Sequence, residues 1–246
     1  MTVRLRTLAR RCLPVLAVVL LCLLPTLASA AEVTYVVRPV EVKRKGSDKF
    51  VVLHLHDKVY AGDTIRTGFG GRVEITISEK RVFRIGQASE VELPELQDDR
   101  GKGIRARFNL LLGRFWGGVL RPLKNLQAEH FQVHTATAVI GVKGTQFGVD
   151  YEKKTDETRA LVIKGTVAAQ PPPKAQQAPV EIPGPREVAP PQEISRDEWL
   201  LLVSQDQKVI IRPGEIPQAE PLTAEDKADE WVRFNTERDA ALAQQP

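Results

Sequence analysis

Two histidine pairs are the first residues in this chain whose types and spacing could do chemistry. His54 and His56 sit two apart, and His130 and His134 four apart. On an extended strand such residues share a face, and two imidazole pairs brought together would suit zinc or copper. His54 and His56, however, alternate with Val51, Leu53 and Leu55, which puts them on the solvent side of a strand, so no metal site is expected. Gly141-Val142-Lys143-Gly144-Thr145 has the look of a phosphate loop. That chemistry needs a helix N-terminus straight after the Lys-Thr step, whereas Gln146 to Tyr151 alternates like a strand. A tight turn is expected instead, with Gly144 taking the unusual dihedral and Thr145 hydrogen-bonded within the turn. The sequence has no Gly-x-Ser-x-Gly elbow and no His-Glu-x-x-His. Asp98-Asp99 and Asp156-Glu157 read as solvated turn charges, and Lys43-Arg44-Lys45 as a short solubilising patch. Trp116, beside Gly117-Gly118, offers either a sugar-stacking platform or a core residue. No catalytic residue, metal or cofactor is expected.

The start of the chain places whatever this protein does. Arg4, Arg6, Arg10 and Arg11 precede an apolar run from Cys12 to Leu24, and Ala28-Ser29-Ala30 follows. This is the grammar of a secretory signal peptide, cut between Ala30 and Ala31. A run of about 13 residues spans roughly 20 Å as a helix, short of a bilayer core of roughly 30 Å. Both cysteines, Cys12 and Cys22, fall in this leader, so the mature fold is expected to hold without disulfides. Removing the leader's four arginines from 35 basic residues leaves 31 against 31 acidic ones. The basic pI therefore belongs to the leader and is no argument for nucleic acid. The expectation is a periplasmic or secreted protein that does not span a membrane after cleavage.

From Val33 to about Ala169 the pattern is strand after strand. Val73, Ile75 and Ile77 alternate with Arg72, Glu74 and Thr76; Phe108, Leu110 and Leu112 alternate with Arg107, Asn109 and Leu111; Phe131 and Val133 alternate with His130, Gln132 and His134. Period two buries one face and wets the other. Turn signals separate the runs: Gly46-Ser47-Asp48, Gly62-Asp63, Gly68-Phe69-Gly70-Gly71, Gly117-Gly118 and Gly144-Thr145. The expected fold is all-β, either a sandwich or roll or a solenoid-like stack of short strands, plus one C-terminal helix. An echo, Val142-Lys143-Gly144-Thr145 against Ile163-Lys164-Gly165-Thr166, speaks for stacked units.

The expected organisation is a signal peptide at 1–30, a β-domain at 31–169, a linker at 170–194, a strand pair at 195–221 and a helix at 222–246. In the linker about every third residue is proline, a composition that favours extended chain reaching roughly 75 Å. Trp199 to Val203 and Lys208 to Ile211 read as two strands rejoining the main sheet, because a lone hairpin is marginal in water. A helix is predicted from about Ala224 to Ala243, with Thr223 as N-cap and Asp226 closing a box-like start. Its apolar stripe of Ala228, Trp231, Phe234 and Leu242 must dock on its own β-domain or in a partner's groove.

The β-region resembles the FecR-like periplasmic domain family. The residues that carry the resemblance are Ala61-Gly62-Asp63-Thr64-Ile65-Arg66-Thr67-Gly68, Gly71 to Ile77, Arg81 to Ile85, Ala88 to Leu93 and Leu110 to Arg114. Phe131 to Ala138 then runs into Val142-Lys143-Gly144-Thr145-Gln146-Phe147-Gly148-Val149, with Lys143 where the family has arginine, and Ala160 to Val167 closes the series. Gly62, Asp63, Gly144, Thr145 and Gly165 are the expected structural motif. The resemblance implies an exported all-β domain that passes signals or makes contacts without chemistry. In the family's best-known members such a domain follows a cytoplasmic anti-sigma segment and a membrane span. Here a cleavable leader stands in their place, which argues against direct sigma-factor control.

The function expected is thus a scaffold or signalling adaptor that binds an envelope protein. Trp116, Trp199, Trp231 and Phe234 are the candidate contact residues, and an open sheet edge is a route to pairing with a second copy. A carbohydrate- or peptidoglycan-binding module, argued from Trp116 and Trp199, is the competing expectation.

Overall fold

The computed structural model describes residues 29–78, 81–98, 103–119, 129–142, 144–173 and 199–244. The leader as far as Ala28, Lys143 and most of the proline-rich linker lie outside the described residues. The first half of the chain forms β1 (Ala30–Val37), β2 (Val40–Lys43), β3 (Phe50–Val52), β4 (Lys58–Tyr60), β5 (Thr64–Thr67), β6 (Arg72–Ser78), β7 (Arg81–Ile85), β8 (Glu90–Asp98) and β9 (Ile104–Val119). The second half forms β10 (Glu129–His134), β11 (Val139–Val142), β12 (Gln146–Glu152), β13 (Glu157–Lys164), β14 (Thr166–Gln170), β15 (Leu201–Ser204), β16 (Gln207–Ile211) and β17 (Ala219–Pro221). Two helices follow, α1 (Ala224–Ala228) and α2 (Glu230–Ala243).

The strands make two layers. Sheet A runs β4, β1, β6, β7, the C-terminal part of β9, β12, β13, β16, β17. Sheet B runs β3, β2, β5, β8, the N-terminal part of β9, β10, β11, β14, β15. Among the described residues only β9 and β10 pair in parallel. The chain thus advances along a stack, crossing from one layer to the other as it goes. The fold is all-β, and it is at once a sandwich in section and a stack of short strands along its length. The two strands that follow the linker belong to this body: β15 pairs with β14 in sheet B, and β16 with β13 in sheet A.

The core lies between the layers, where the alternation aims the apolar residues. Val73, Ile75, Ile85, Phe115 and Val149 of sheet A face Val42, Ile65, Val91, Phe108 and Phe131 of sheet B, all of them buried. Phe83 bridges the layers, its ring 4.7 Å from Phe108 and 5.3 Å from Phe131, within the range of favourable aromatic pairs.

The echoed steps turn out to be the two sides of one bend. β11 pairs with β14 and β12 with β13, so the hairpin leaves sheet B and enters sheet A at Gly144 and Gly165. Both have positive φ, 66° and 89°, and a Cβ on Gly165 would sit 2.6 Å from the Thr145 methyl. The similarity of sequence comes from two strands making the same crossing side by side.

Three local expectations are corrected. Gly117-Gly118 is not a turn but lies inside β9, where a Cβ on Gly117 would meet the Phe147 ring at 2.2 Å. His54 and His56 do not share a strand: β3 stops at Val52, and His56 sits in a turn at φ 68°. The helical region is two helices, because Asp229 leaves helical geometry at ψ 130° and starts afresh as the N-cap of α2.

Candidate functional site

The outer face of sheet A, expected to be wet, is covered by α1 and α2. In direct register across six strands lie Glu74, Arg84, Trp116, Gly148, Leu161 and Lys208. This row is charged at both ends and apolar in the middle. Beside it run Arg114, Asp150 and Arg159, also cross-strand neighbours. The two helices lie across these rows, so acids along one short segment meet bases from strands far apart in sequence.

The deepest part of the contact is ionic. Arg84, 1% exposed, donates from Nε to Glu74 at 2.7 Å and from Nη1 to Asp239 at 2.6 Å. Arg238 reaches the same Glu74 carboxylate with two donors at 2.6 and 3.1 Å, and Thr34 adds a third partner at 2.8 Å. The Trp116 indole donates to Asp239 at 3.0 Å. Two carboxylates and two guanidiniums therefore neutralise one another, the condition under which charges tolerate burial. Burial pushes Glu74 up, but Arg238 and Arg84 outweigh it and hold its carboxyl below the usual range. Asp239 goes the other way, because burial outweighs Arg84 and the indole and raises it.

The other end of the segment is held by its caps. Thr223 and Asp226 exchange bonds, Asp226 N–H to Thr223 Oγ1 at 3.1 Å and Thr223 N–H to Asp226 Oδ2 at 2.8 Å, a capping box that satisfies orphan donors of α1. Asp226 also accepts from Lys208 at 2.7 Å and Arg159 at 3.3 Å. Burial opposes its charge, yet Lys208 and Thr223 bring it down to about 2. Asp229 caps α2 by accepting from the amides of Trp231 and Val232, and accepts from Arg114 at 2.9 Å.

Glycines make the floor. A Cβ on Gly118 would stand 2.8 Å from the Asp239 carboxylate, one on Gly86 3.4 Å from the Trp231 ring, and one on Gly148 3.3 Å from Trp116. The apolar part of the contact is small: Trp116, Leu161, Trp231 and Val232, edged by Ile163, Leu222 and Phe234. Two buried donors, Arg84 Nη2 and Trp231 Nε1, have no hydrogen-bond partner among the described residues.

The candidate contact residues are placed differently from expectation. Trp116 is fully buried and Trp231 is 4% exposed, both between sheet and helix, so neither is a surface aromatic. Phe234 is half-buried, stacked on Trp231 at 5.9 Å with Arg72 over its ring. Trp199 packs against the main core. Of the predicted helical stripe, Ala228 is exposed, while Asn235 and Asp239 are wholly buried. Sequence reasoning missed these two. Their signal was the four-residue spacing of Trp231, Asn235 and Asp239, a polar continuation of an aromatic face.

The structural motif residues form corners of the body. Gly62, at φ 94°, donates to the Leu93 carbonyl. Asp63, 2% exposed, accepts from Arg44 at 2.6 Å and from the amides of Lys45 and Tyr60, so the Lys43-Arg44-Lys45 patch is partly a structural clamp. Gly144 takes the positive φ expected of it, but the buried Thr145 hydroxyl, expected to bond within the turn, has no partner among the described residues. Ala30 opens β1 and Ala31 is buried in it; Ala28 lies outside the described residues. His56 pairs with Glu32 and His54 with Asp57 on the surface, and His134 bonds Gln132. No group of three metal-binding side chains occurs among the described residues, and none of their helices is long and apolar enough to cross a membrane.

Two crystal structures of a "putative anti-sigma factor from Parabacteroides distasonis ATCC 8503" are similar at 15% identity, with TM-scores of 0.47 and 0.46. Each comparison covers 69% of this chain, which spans 64% and 63% of the length of those chains. No curated protein matches the chain. Residues 63–168 match the family model described as FecR protein. That stretch contains Glu74, Arg84, Arg114, Trp116, Asp150 and Arg159, whereas α1 and α2 lie beyond it. The chain therefore carries a FecR-like domain over residues 63–168.

Proposed function

We propose that this protein is a non-enzymatic signalling adaptor of the cell envelope, periplasmic or secreted, which works through contact with another envelope protein. The observation that carries the reading is the FecR match over residues 63–168, since that family is one of envelope-associated signalling proteins. The architecture supports it: a rigid two-layer body carries a helical segment attached largely by ion pairs, a kind of contact found in interfaces that open and close. The carbohydrate-binding alternative loses its main support, because Trp116 has no exposed ring face.

The reading is tested by crosslinking the tagged full chain in living cells and identifying what is captured from envelope fractions. The expected result is one dominant protein partner, with the tagged chain itself in the periplasmic or secreted fraction. Recovery of the chain alone, or sedimentation with purified cell wall, overturns it.

A further inference from the structure

We propose that the glycine-floored face of sheet A is a recognition groove for a helix bearing carboxylates and a tryptophan. Residues 224–243 fill this groove in cis, and a partner protein presenting such a helix displaces them. The proposal rests on the adaptor reading for its purpose and gives that reading a partner chemistry.

Four observations carry it. The groove side chains are mostly basic: Arg84, Arg114, Arg159 and Lys208 against Glu74 and Asp150. The occupant answers with Asp226, Asp229 and Asp239, each bonded to at least one of those bases. The floor is shaped for what sits on it, with Gly118 beneath a carboxylate and Gly86 beneath an indole. Arg84 is buried only while a helix covers it, so any helix that takes the resident's place must bring a carboxylate where Asp239 stands or leave a buried guanidinium with Glu74 alone. Finally, the cis helix leaves Arg84 Nη2 and Trp231 Nε1 unpartnered among the described residues. A helix offering one more acceptor at that level satisfies a buried donor the resident helix does not, and unpaired buried donors are costly. The groove's Glu74, Arg84, Arg114, Trp116, Asp150 and Arg159 belong to the FecR-matched stretch, while the helix lies outside it. The recognition surface is thus a property of the domain, and the resident helix is its competitor at high effective concentration.

The test uses the full chain and, as probe, a fluorescent peptide of residues 222–244. Trp231→Ala weakens the resident helix and leaves the groove intact. The Trp231→Ala chain should bind the peptide saturably, and the native chain roughly tenfold or more weakly, the share by which a closed state reduces apparent affinity. Adding Gly118→Leu, which fills the floor beneath Asp239, should abolish binding, as should Asp239→Ala in the peptide. A folded Trp231→Ala chain that ignores the peptide, or binding that Gly118→Leu leaves unchanged, overturns the proposal. Should Trp231→Ala fail to fold, hydrogen exchange on the native chain decides instead. The amides of 231–243 should exchange through an opening that leaves β9 and β12 protected. If they exchange only together with those strands, the groove is never vacated and the proposal falls. A capture experiment that finds no partner would sink the adaptor reading and leave the peptide result standing.

Discussion

Arg84 sets the terms for everything packed above it. A guanidinium held at 1% exposure must keep its counter-charges, and it has two, Glu74 and Asp239. Asp239→Ala takes one away and leaves the buried charge undercompensated, which should cost about 3–5 kcal/mol in denaturant unfolding. Arg233→Ala, by contrast, removes an exposed i,i+4 contact at 3.9 Å and should change stability by under ~0.5 kcal/mol. Glycines allow a second comparison. Gly118→Ala drives a Cβ to 2.8 Å from the Asp239 carboxylate and should cost about 1–3 kcal/mol by thermal melting. Gly141→Ala, whose nearest neighbour is 3.7 Å away, should cost nothing measurable. The inward residues of each strand were legible from alternation: Val73, Ile75, Phe108 and Phe131 are all buried. Glu74 was not, because period two says only which residues point outward and cannot say that another element lies over them.

The helical segment shows how far a local pattern carries. Its start was legible, since Thr223 and Asp226 form the capping box. Its docking face was legible only in part, because the apolar stripe finds Trp231 and Phe234 but also the exposed Ala228, while Asn235 and Asp239, which are wholly buried, are polar. Their counterpart Arg84 is 155 positions away from Asp239, and no window of local sequence contains both. The acid response of this segment follows from its carboxylates. Asp226, at about 2 when folded against roughly 3.9 unfolded, contributes stability above the unfolded value and loses it as pH falls through the folded one. Glu74 and Asp229, both held low, act in the same direction. Asp239, held high, opposes them: its contribution is full below the unfolded value and is lost as pH rises through the folded one. Asp226 sets the window, so Trp231 fluorescence should report helix release as pH falls from about 4 towards 2. Asp226→Asn should flatten that transition; an unchanged acid limb would refute the assignment.

At the scale of the molecule, the two layers end in edges of different character. Sheet A finishes at β17, blunted by Pro221, while sheet B finishes at β15, where Leu200 and Leu202 are 68% and 61% exposed. Among the described residues β15 pairs only with β14, and a flat apolar edge recruits further strands. Analytical ultracentrifugation should therefore find weak, concentration-dependent association that Leu202→Lys suppresses, with a stability change within ~0.5 kcal/mol. The two-layer class was readable from turn spacing and alternation. The way the layers are joined was not, because the crossings at Gly144 and Gly165 read as ordinary turns and a further crossing lies inside one strand. β9 gives its first half to sheet B and its second to sheet A, bending at Gly113, where φ is 93° and a Cβ would meet the Ser89 hydroxyl at 2.2 Å. Because the two parts of β9 pair in different layers, the layers cannot come apart there without breaking that strand's own ladders.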